Sequence, residues 1–285
     1  MTHLLPTTLA EALQLHQRGL TTVICGGTDC YAGAVEKPAR HAWLDISRIE
    51  ALRGISFEPG RTVIGAATPW TQIAAHAGLP PALREAAQVV GSRLIQNRAT
   101  IGGNVCQASP VADGVPPLVA LDAQVELADA GGTSRLPLAE FLLGRRRTRL
   151  RAGQLLTRVI FATPTPGAMS AFEKFANRSG SAISVVSVAV AVRWSDTSRP
   201  SDARVVIGGA SEVPTRAVAI EALLRRAERG RLAECVDDGD GGAFGGALSP
   251  IDDLRASASF RHRLARAMVR RACRRLDEGS RDGRV

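Results

Sequence analysis

Lysine is almost missing from this 285-residue chain: Lys37 and Lys174 are the two it has, so arginine carries nearly all of a net charge of +9. Guanidinium groups bind phosphates bidentately, but here the basic residues gather in only two stretches, 145–151 and 261–275, and aromatic residues make up only 4% of the chain. A nucleic-acid groove needs stacking platforms beside its charge, so nucleic acid is not the expected partner. Long apolar runs are missing too. The stretch 182–192 is broken by serines and falls short of the roughly 18 residues of a membrane-crossing helix. The start, Met1-Thr2-His3-Leu4-Leu5-Pro6, has neither a basic n-region nor an apolar h-region. The expectation is a soluble cytoplasmic protein with no membrane span and no export signal.

The five cysteines, Cys25, Cys30, Cys106, Cys235 and Cys273, form no C-x-x-C pair. Such a dispersed, odd-numbered set supports neither a disulfide framework nor a self-contained zinc site, and it suits a reducing compartment. An iron–sulfur cluster needs about four thiolates, and the cysteines beyond Cys25 and Cys30 have no matching spacing. Catalytic signatures are equally scarce. There is no G-x-S-x-G and no H-E-x-x-H, and His3, His16, His41, His76 and His262 sit in no recognised motif. Neither G-x-G-x-x-G nor the P-loop pattern occurs. No catalytic or metal-binding residue is assigned, and any reaction here would rest on a bound cofactor.

What is present is a globular composition, 45% hydrophobic and 22% charged, with length for two domains. Periodicity predicts helices over 9–20 (with Gly19 near its end), 70–76, 81–90, 216–228 and 260–276, and strands over 21–25, 42–46, 62–65, 124–128, 183–194 and 204–207. Residues 115–121 form an apolar run, Gly131-Gly132 a hairpin turn, 145–153 an exposed connection and 239–246 a glycine-rich loop. Thr163-Pro164-Thr165-Pro166-Gly167 reads as the linker between domains, because two prolines and a glycine in five residues continue neither a helix nor a central strand.

Two glycine turns carry the functional interest. Strand 21–25 runs directly into Gly26-Gly27-Thr28-Asp29, and a second turn is expected at Arg98-Ala99-Thr100-Ile101-Gly102-Gly103-Asn104. Consecutive main-chain N–H groups beside a small hydroxyl, Thr28 or Thr100, form a concavity that holds a pyrophosphate without a cationic side chain. Two ordinary tight turns would read the same way. Asp29 and Asp113 are candidate carboxylates, though Asp113 beside Ser109-Pro110 also suits a capping role. Helix 260–276, with Phe260, Leu264, Met268 and Leu276 among arginines, reads either as a solvated basic face packed on its own domain or as a docking face for a partner.

The segment Gln96-Asn97-Arg98-Ala99-Thr100-Ile101-Gly102-Gly103-Asn104, followed by Ala108-Ser109-Pro110-Val111-Ala112-Asp113 and the run from Pro116 to Ala123, resembles the FAD-binding medium subunit of the molybdenum hydroxylases, of the xanthine dehydrogenase and carbon monoxide dehydrogenase flavoprotein type. Cys25-Gly26-Gly27-Thr28-Asp29 is similar to that family's first pyrophosphate loop, and Ile64-Gly65-Ala66-Ala67-Thr68 to a segment between the two. Phe172-Glu173-Lys174, the strand after residue 183 and residues 257–261 resemble its C-terminal domain. The resemblance implies an α+β fold: a vanillyl-alcohol oxidase (PCMH)-type FAD-binding domain at 1–167, in subdomains of about 1–55 and 56–167, then a smaller α+β domain with an antiparallel sheet at 168–285.

It also implies FAD held by Val23, Ile24, Cys25, Gly26, Gly27, Thr28, Asp29 and Cys30 on one side and Thr100, Ile101, Gly102, Gly103 and Asn104 on the other. Asp113 would lie toward the adenosine part, and Leu155 and Lys174 near the flavin. Cys25 and Cys30 depart from the small or apolar residues more usual there. The implied role is an electron-transfer subunit that takes electrons from an iron–sulfur small subunit, reduced in turn by a molybdenum-cofactor large subunit, and passes them to NAD or another acceptor. Molybdopterin and the clusters would sit on those partners, in a heterotrimer. A stand-alone flavin oxidoreductase and a scaffolding subunit that has lost FAD are the alternatives.

Overall fold

The computed structural model describes residues 2–17, 20–30, 42–178, 182–195, 198–238, 244 and 246–281. The helix end expected at Gly19, and the loop expected at 239–246 apart from Phe244 and Gly246, lie outside them. The chain forms two compact units, neither continuous in sequence. The first comprises Met1–Ala75, Ser92–Ala108 and Asp122–Thr163; the second comprises His76–Gly91, Ser109–Leu121 and Pro164–Val285.

The first unit opens on the Leu9–His16 helix. Thr8 Oγ1 accepts the Glu11 N–H at 3.2 Å while Glu11 Oε2 accepts the Thr7 N–H at 3.0 Å, a reciprocal cap that satisfies two donors at the helix start. This helix provides the crossover that parallel strands require: His3–Leu4, Ala42–Asp45 and Thr21–Ile24 form a three-stranded parallel sheet in that spatial order. A second, antiparallel sheet runs Ile55–Glu58, Arg61–Gly65, Leu155–Ala162, Gln124–Asp129, Gly132–Pro137. Its central strand exposes only Arg158 and Ala162. Leu44, Ile46, Ile49, Leu52, Ala67 and Leu155 form one buried cluster, with Val23 and Cys25 packed against it. Each such buried Leu or Ile contributes about 1.5–3 kcal/mol, so the end of strand Thr21–Ile24 is firmly anchored. The connection expected at 145–153 contains a short strand, Arg147–Thr148, paired with Leu142–Gly144.

The second unit is built on a four-stranded antiparallel sheet, Ala168–Phe175, Val186–Trp194, Pro200–Gly208 and Thr215–Arg216. Val186, Val188, Val190, Val192 and Trp194 share one face with Ala265, Val269, Ala272 and Leu276 of the Ala258–Arg281 helix in a single buried cluster. The helical residues recur at the i, i+4, i+7, i+11 spacing of one stripe. On the opposite face a β-carbon added at Gly208 would lie 2.7 Å from Ser187 Oγ and 3.0 Å from Pro116 Cγ, so the Val115–Ala120 helix packs there at glycine distance. Burial on both faces explains why this strand reads as a near-continuous apolar run rather than an alternating one. The helix expected over 216–228 is shorter, Val218–Leu224, because Thr215 and Arg216 pair with Ile207 and Val206 as an edge strand.

Candidate functional site

The first candidate wall follows strand Thr21–Ile24. The chain bends at Cys25 and Gly26, Gly27 takes φ +73°, and Thr28, Asp29 and Cys30 form a turn. Glycine tolerates that left-handed conformation without strain. Among the described residues, no group accepts the main-chain N–H of Gly26, Gly27, Thr28 or Asp29. Gly26, Gly27 and Thr28 are half-buried, and half-buried donors without acceptors are uncommon unless a ligand or water completes them. Gly26 lies against the other candidate segment: a β-carbon there would overlap the Arg98 carbonyl and come within 3.0 Å of Ala99 Cα.

That second segment is not a turn. Residues Ile101–Gln107 form a helix capped by Thr100, whose Oγ1 accepts the Gly103 N–H at 3.2 Å. The expected glycine turn is thus the first turn of a helix, and its amides point inward: Ile101 N donates to Thr68 O (3.1 Å), Gly102 N to Ala66 O (2.9 Å) and Asn104 N to Thr100 O (3.0 Å). The Gly102 requirement is steric, since a β-carbon would lie 2.7 Å from Ala66 Cβ. Gly103 is exposed and meets only Thr100 Oγ1 within 4 Å. The polar side chains of this segment include Thr100, which is buried, and Asn104, whose Oδ1 is buried with no hydrogen-bond partner. A buried unpaired carbonyl of that kind costs about 1–3 kcal/mol. Leu155 stands beneath the first wall, in the cluster that packs Val23 and Cys25.

Asp113 and Lys174 fall in the second unit, where they meet. Lys174 Nζ donates to Asp113 Oδ2 at 2.7 Å and to Val89 O at 2.9 Å, and Ser184 Oγ donates to Asp113 Oδ1 at 2.5 Å. Both side chains are nearly enclosed, 8% and 10% exposed. Burial pushes the Asp113 carboxyl up, against the pull of Lys174 and Ser184. Asp29, by contrast, is exposed and belongs to the first unit. Ser184 and the Ala66 and Thr68 carbonyls were not among the residues expected at the site. Ala66 and Thr68 lie in the 64–68 segment that resembles the family, while Ser184 meets Asp113 only in the fold, from 71 residues away.

This combination, an open-amide loop against a threonine-capped helix in one unit and a sheet-and-helix platform in the other, has counterparts among flavin-dependent dehydrogenase subunits. Residues 1–164 match the family described as FAD binding domain in molybdopterin dehydrogenase, and residues 170–276 match the CO dehydrogenase flavoprotein C-terminal domain. The nicotinate dehydrogenase FAD-subunit of Eubacterium barkeri is 37% identical over 203 residues, 67% of this chain and 68% of that protein. A putative xanthine dehydrogenase FAD-binding subunit of Escherichia coli is 29% identical over 272 residues, 93% of this chain and 91% of its own. A chain of the carbon monoxide dehydrogenase from Hydrogenophaga pseudoflava that lacks the Mo-pyranopterin moiety superposes with a TM-score of 0.85 at 25% identity, covering 97% of this chain and 96% of that one. The fold is also that of a chain in the CO dehydrogenase of Oligotropha carboxidovorans, with a TM-score of 0.89 over 98% of both chains. The chain belongs to the FAD-binding subunits of the molybdenum hydroxylase family, and it is an oxidoreductase subunit. The family resemblance and the α+β fold read from the motifs are borne out.

Proposed function

We propose that this chain is the electron-transfer subunit of a multi-subunit molybdenum hydroxylase, holding FAD between residues 23–30 and 100–104 and passing electrons from an iron–sulfur subunit to NAD or another acceptor. The observation that carries the reading is the pairing of the Gly26, Gly27 and Thr28 N–H groups, which no described residue accepts, with the orphaned Asn104 Oδ1 on the segment against which Gly26 packs. Donors of the first kind suit a diphosphate. An acceptor of the second kind suits an N–H or O–H of the same molecule. The residues therefore fit the cofactor, and the fit needs no cationic side chain.

In this reading the loop at 26–29 binds the diphosphate through its main chain, and the Thr100 hydroxyl, fixed by its capping bond, donates from the other side. Lys174 has a third N–H beyond those given to Asp113 and Val89, and we assign it to the flavin. Asp113 keeps that ammonium in place and lies toward the adenosine part. Bound there, FAD supplies a ring that takes up and releases electrons. We take the FAD domain as 1–167 and the C-terminal domain as 168–285. Molybdopterin and the clusters belong to partner polypeptides, an iron–sulfur small subunit and a large subunit. No helix among the described residues is long and apolar enough to cross a membrane, and five cysteines without a disulfide among the described residues fit a cytoplasmic location.

The test is the visible spectrum of the natively purified protein with chromatographic identification of what it releases on denaturation. One FAD per chain and no iron is the expected result, together with co-purification of two further polypeptides. Absence of flavin even after reconstitution overturns the cofactor reading and leaves a scaffolding role.

A further inference from the structure

The Ala258–Arg281 helix carries eight arginines, and contacts within its own unit account for three of them. Arg261 is buried and donates to the Val185 and Gly209 carbonyls. Arg271 and Arg275 pair with Glu173, and Arg275 also with Glu85. Arg263, Arg270 and Arg274 are exposed, and with the exposed Ala267 they recur at i, i+4, i+7 and i+11 along one side of the helix. Among the described residues no carboxylate pairs with Arg263 or Arg274. The acids near the C-terminal half are engaged elsewhere or lie at the margin. Both Asp277 oxygens accept main-chain N–H groups, of Leu232 at 2.9 Å and Ala233 at 3.0 Å; Arg231 holds Glu234 at 2.6 Å, and Glu278 closes the stripe. Such a stripe does not serve the helix itself. Like charges three or four residues apart repel, as Arg263 with Arg266 and Arg270 with Arg274 do. The helix macrodipole favours cations in the last turn, and the stripe lies before it.

The N-terminal end of the same helix adds an apolar knob. Leu254 is fully exposed, on the loop that caps the helix through Asp252 Oδ1 and the Ala258 N–H at 2.6 Å. That loop is held on several sides. Asp253 accepts the Arg255 and Ala256 N–H groups and the guanidinium groups of Arg255 and Arg261, while Asn177 Nδ2 donates to the Arg255 carbonyl at 2.9 Å. An exposed leucine on a loop already fixed in this way loses little freedom on docking. An apolar anchor bordered by charge is the anatomy of a protein–protein interface.

We propose that this side of the second unit docks another polypeptide of the complex, one whose face carries carboxylates opposite Arg263, Arg270 and Arg274 and an apolar pocket for Leu254. The helical rise separates the first two arginines by about 10 Å and the last two by about 6 Å, a spacing that carboxylates one and two turns apart on a partner helix reproduce. Guanidinium forks suit carboxylates because they bind them bidentately. Nucleic acid is the poorer match: residues 261–278 contain no Phe, Trp or Tyr on which a base could stack. The proposal rests on the multi-subunit reading given above and adds to it the surface used and the chemistry of the partner.

The test uses the complex purified natively through a tag on this chain. Lys37 and Lys174 are the only lysines, so a carbodiimide, which joins an amine to a carboxylate in direct contact, reports chiefly on lysines that are introduced. Arg263→Lys and Arg274→Lys, made one at a time, should each couple to an Asp or Glu of a co-purifying polypeptide, with the joined peptides identified by mass spectrometry. The Arg263→Glu/Arg270→Glu/Arg274→Glu variant should recover at least about tenfold less of that polypeptide, with FAD content and Tm unchanged, while the corresponding triple change to lysine retains most of it. Leu254→Ser should lower recovery about fivefold, the scale of one anchoring side chain. Links confined to this chain or to a second copy of it, recovery that survives the charge reversal, or a partner released by nuclease each overturn the proposal. If the triple glutamate variant does not fold, the single lysine changes decide the matter through their cross-links. A wild-type chain that purifies with no other polypeptide overturns the multi-subunit reading itself, a result distinct from a complex that forms without using the stripe.

Discussion

The candidate site residues of the two units handle polarity in opposite ways. In the first, the candidate site residues act through the main chain and through contacts that only glycine permits: open N–H groups at Gly26 to Thr28, a Gly26 backbone pressed on Arg98, and Gly102 pressed on Ala66. Side-chain charge is absent from these contacts. In the second, the polar residues the family resemblance singles out form an enclosed ion pair, Asp113 with Lys174, fixed by Ser184 and the Val89 carbonyl. A buried Arg261 in the same unit likewise donates to the Val185 and Gly209 carbonyls and to Asp253. The difference teaches where each unit is vulnerable. A wall built of main-chain donors can meet an anionic group at close range without a cationic side chain, because small side chains let the backbone approach. A platform that anchors a lysine must instead neutralise that lysine's partner inside the protein.

The contrast breaks first if charge can be removed from the second unit without cost. Lys174→Met leaves Asp113 buried with only Ser184, and removing one member of a buried pair typically costs about 3–5 kcal/mol. The loss should be read by urea unfolding and should shrink at acid pH. Burial already raises the Asp113 carboxyl, so without Lys174 it takes up a proton more readily in the folded state than in the unfolded one, and the penalty belongs to the ionised form. A loss that does not change with pH would mean that Asp113 is not the group left exposed to the deficit. The next largest effect belongs to the first unit. Gly26→Ala forces a β-carbon onto the Arg98 carbonyl, an overpacking that costs about 1–3 kcal/mol. It should also weaken FAD binding, since relief requires the two walls to part. Unchanged stability would show that the loop and the Arg98 backbone are not in contact in solution.

Several of the elements behind this contrast are legible in the residues, and the missing part has a common cause. Strand 21–25, helix 81–90 and the linker at 163–167 carry local signals, β-branched runs, periodicity and proline, and the structure places elements at Thr21–Ile24 and Pro81–Val89 within a residue of expectation. The second glycine segment was misread as a turn because Gly102 and Gly103 are poor helix formers. What keeps them helical is the Thr100 cap and the inward bonds to Ala66 and Thr68, partners more than thirty residues earlier in the chain. The assignment of 76–91 and 109–121 to the second unit likewise follows from packing, such as Glu85 Oε2 accepting the Phe172 N–H at 2.8 Å, which leaves no mark in the local sequence. The strand Leu155–Ala162 is absent from the sequence reading, where Leu155 enters through the family resemblance alone, and its packing with Val23 and Cys25 leaves no local signal.

A smaller effect, confined to binding, comes from Gly103→Asp. Gly103 is exposed at the start of the Ile101–Gln107 helix, and a β-carbon there meets only Thr100 Oγ1, at 3.2 Å, so the fold should tolerate the change. A carboxylate at that point would face the diphosphate, and like-charge repulsion at a partly solvated site is of the order of 1 kcal/mol or more. The Kd for FAD should therefore rise about tenfold, with Tm little altered. Stoichiometric FAD retained at the wild-type affinity would remove the start of this helix from the site. Gly103→Ala, which adds no charge, should bind nearly as wild type and so separates repulsion from bulk.

The smallest effect tests whether the polar group at the start of the strand leading into the first wall is held neutral rather than paired with an opposite charge. His16, at the end of the Leu9–His16 helix, is buried, with Nδ1 2.6 Å from Thr21 Oγ1 at the start of the strand that leads into the first wall. Burial lowers its affinity for a proton, opposed by a weaker hydrogen bond to the Gln154 main chain. No carboxylate faces it among these contacts, in contrast to Lys174. The folded state thus prefers the neutral ring, and the unfolded chain, titrating near 6.5, binds the proton first as pH falls. The stability this contributes is complete above about pH 6.5 and is lost progressively below it. In urea unfolding, the advantage of wild type over His16→Gln should be constant from pH 7 to 8 and narrow steadily from about 6.5 downward. An advantage that instead grows on acidification would mean that the protonated ring has found an anionic partner. The segment leading into the first wall would then be using paired charge, as Asp113 and Lys174 do in the second unit.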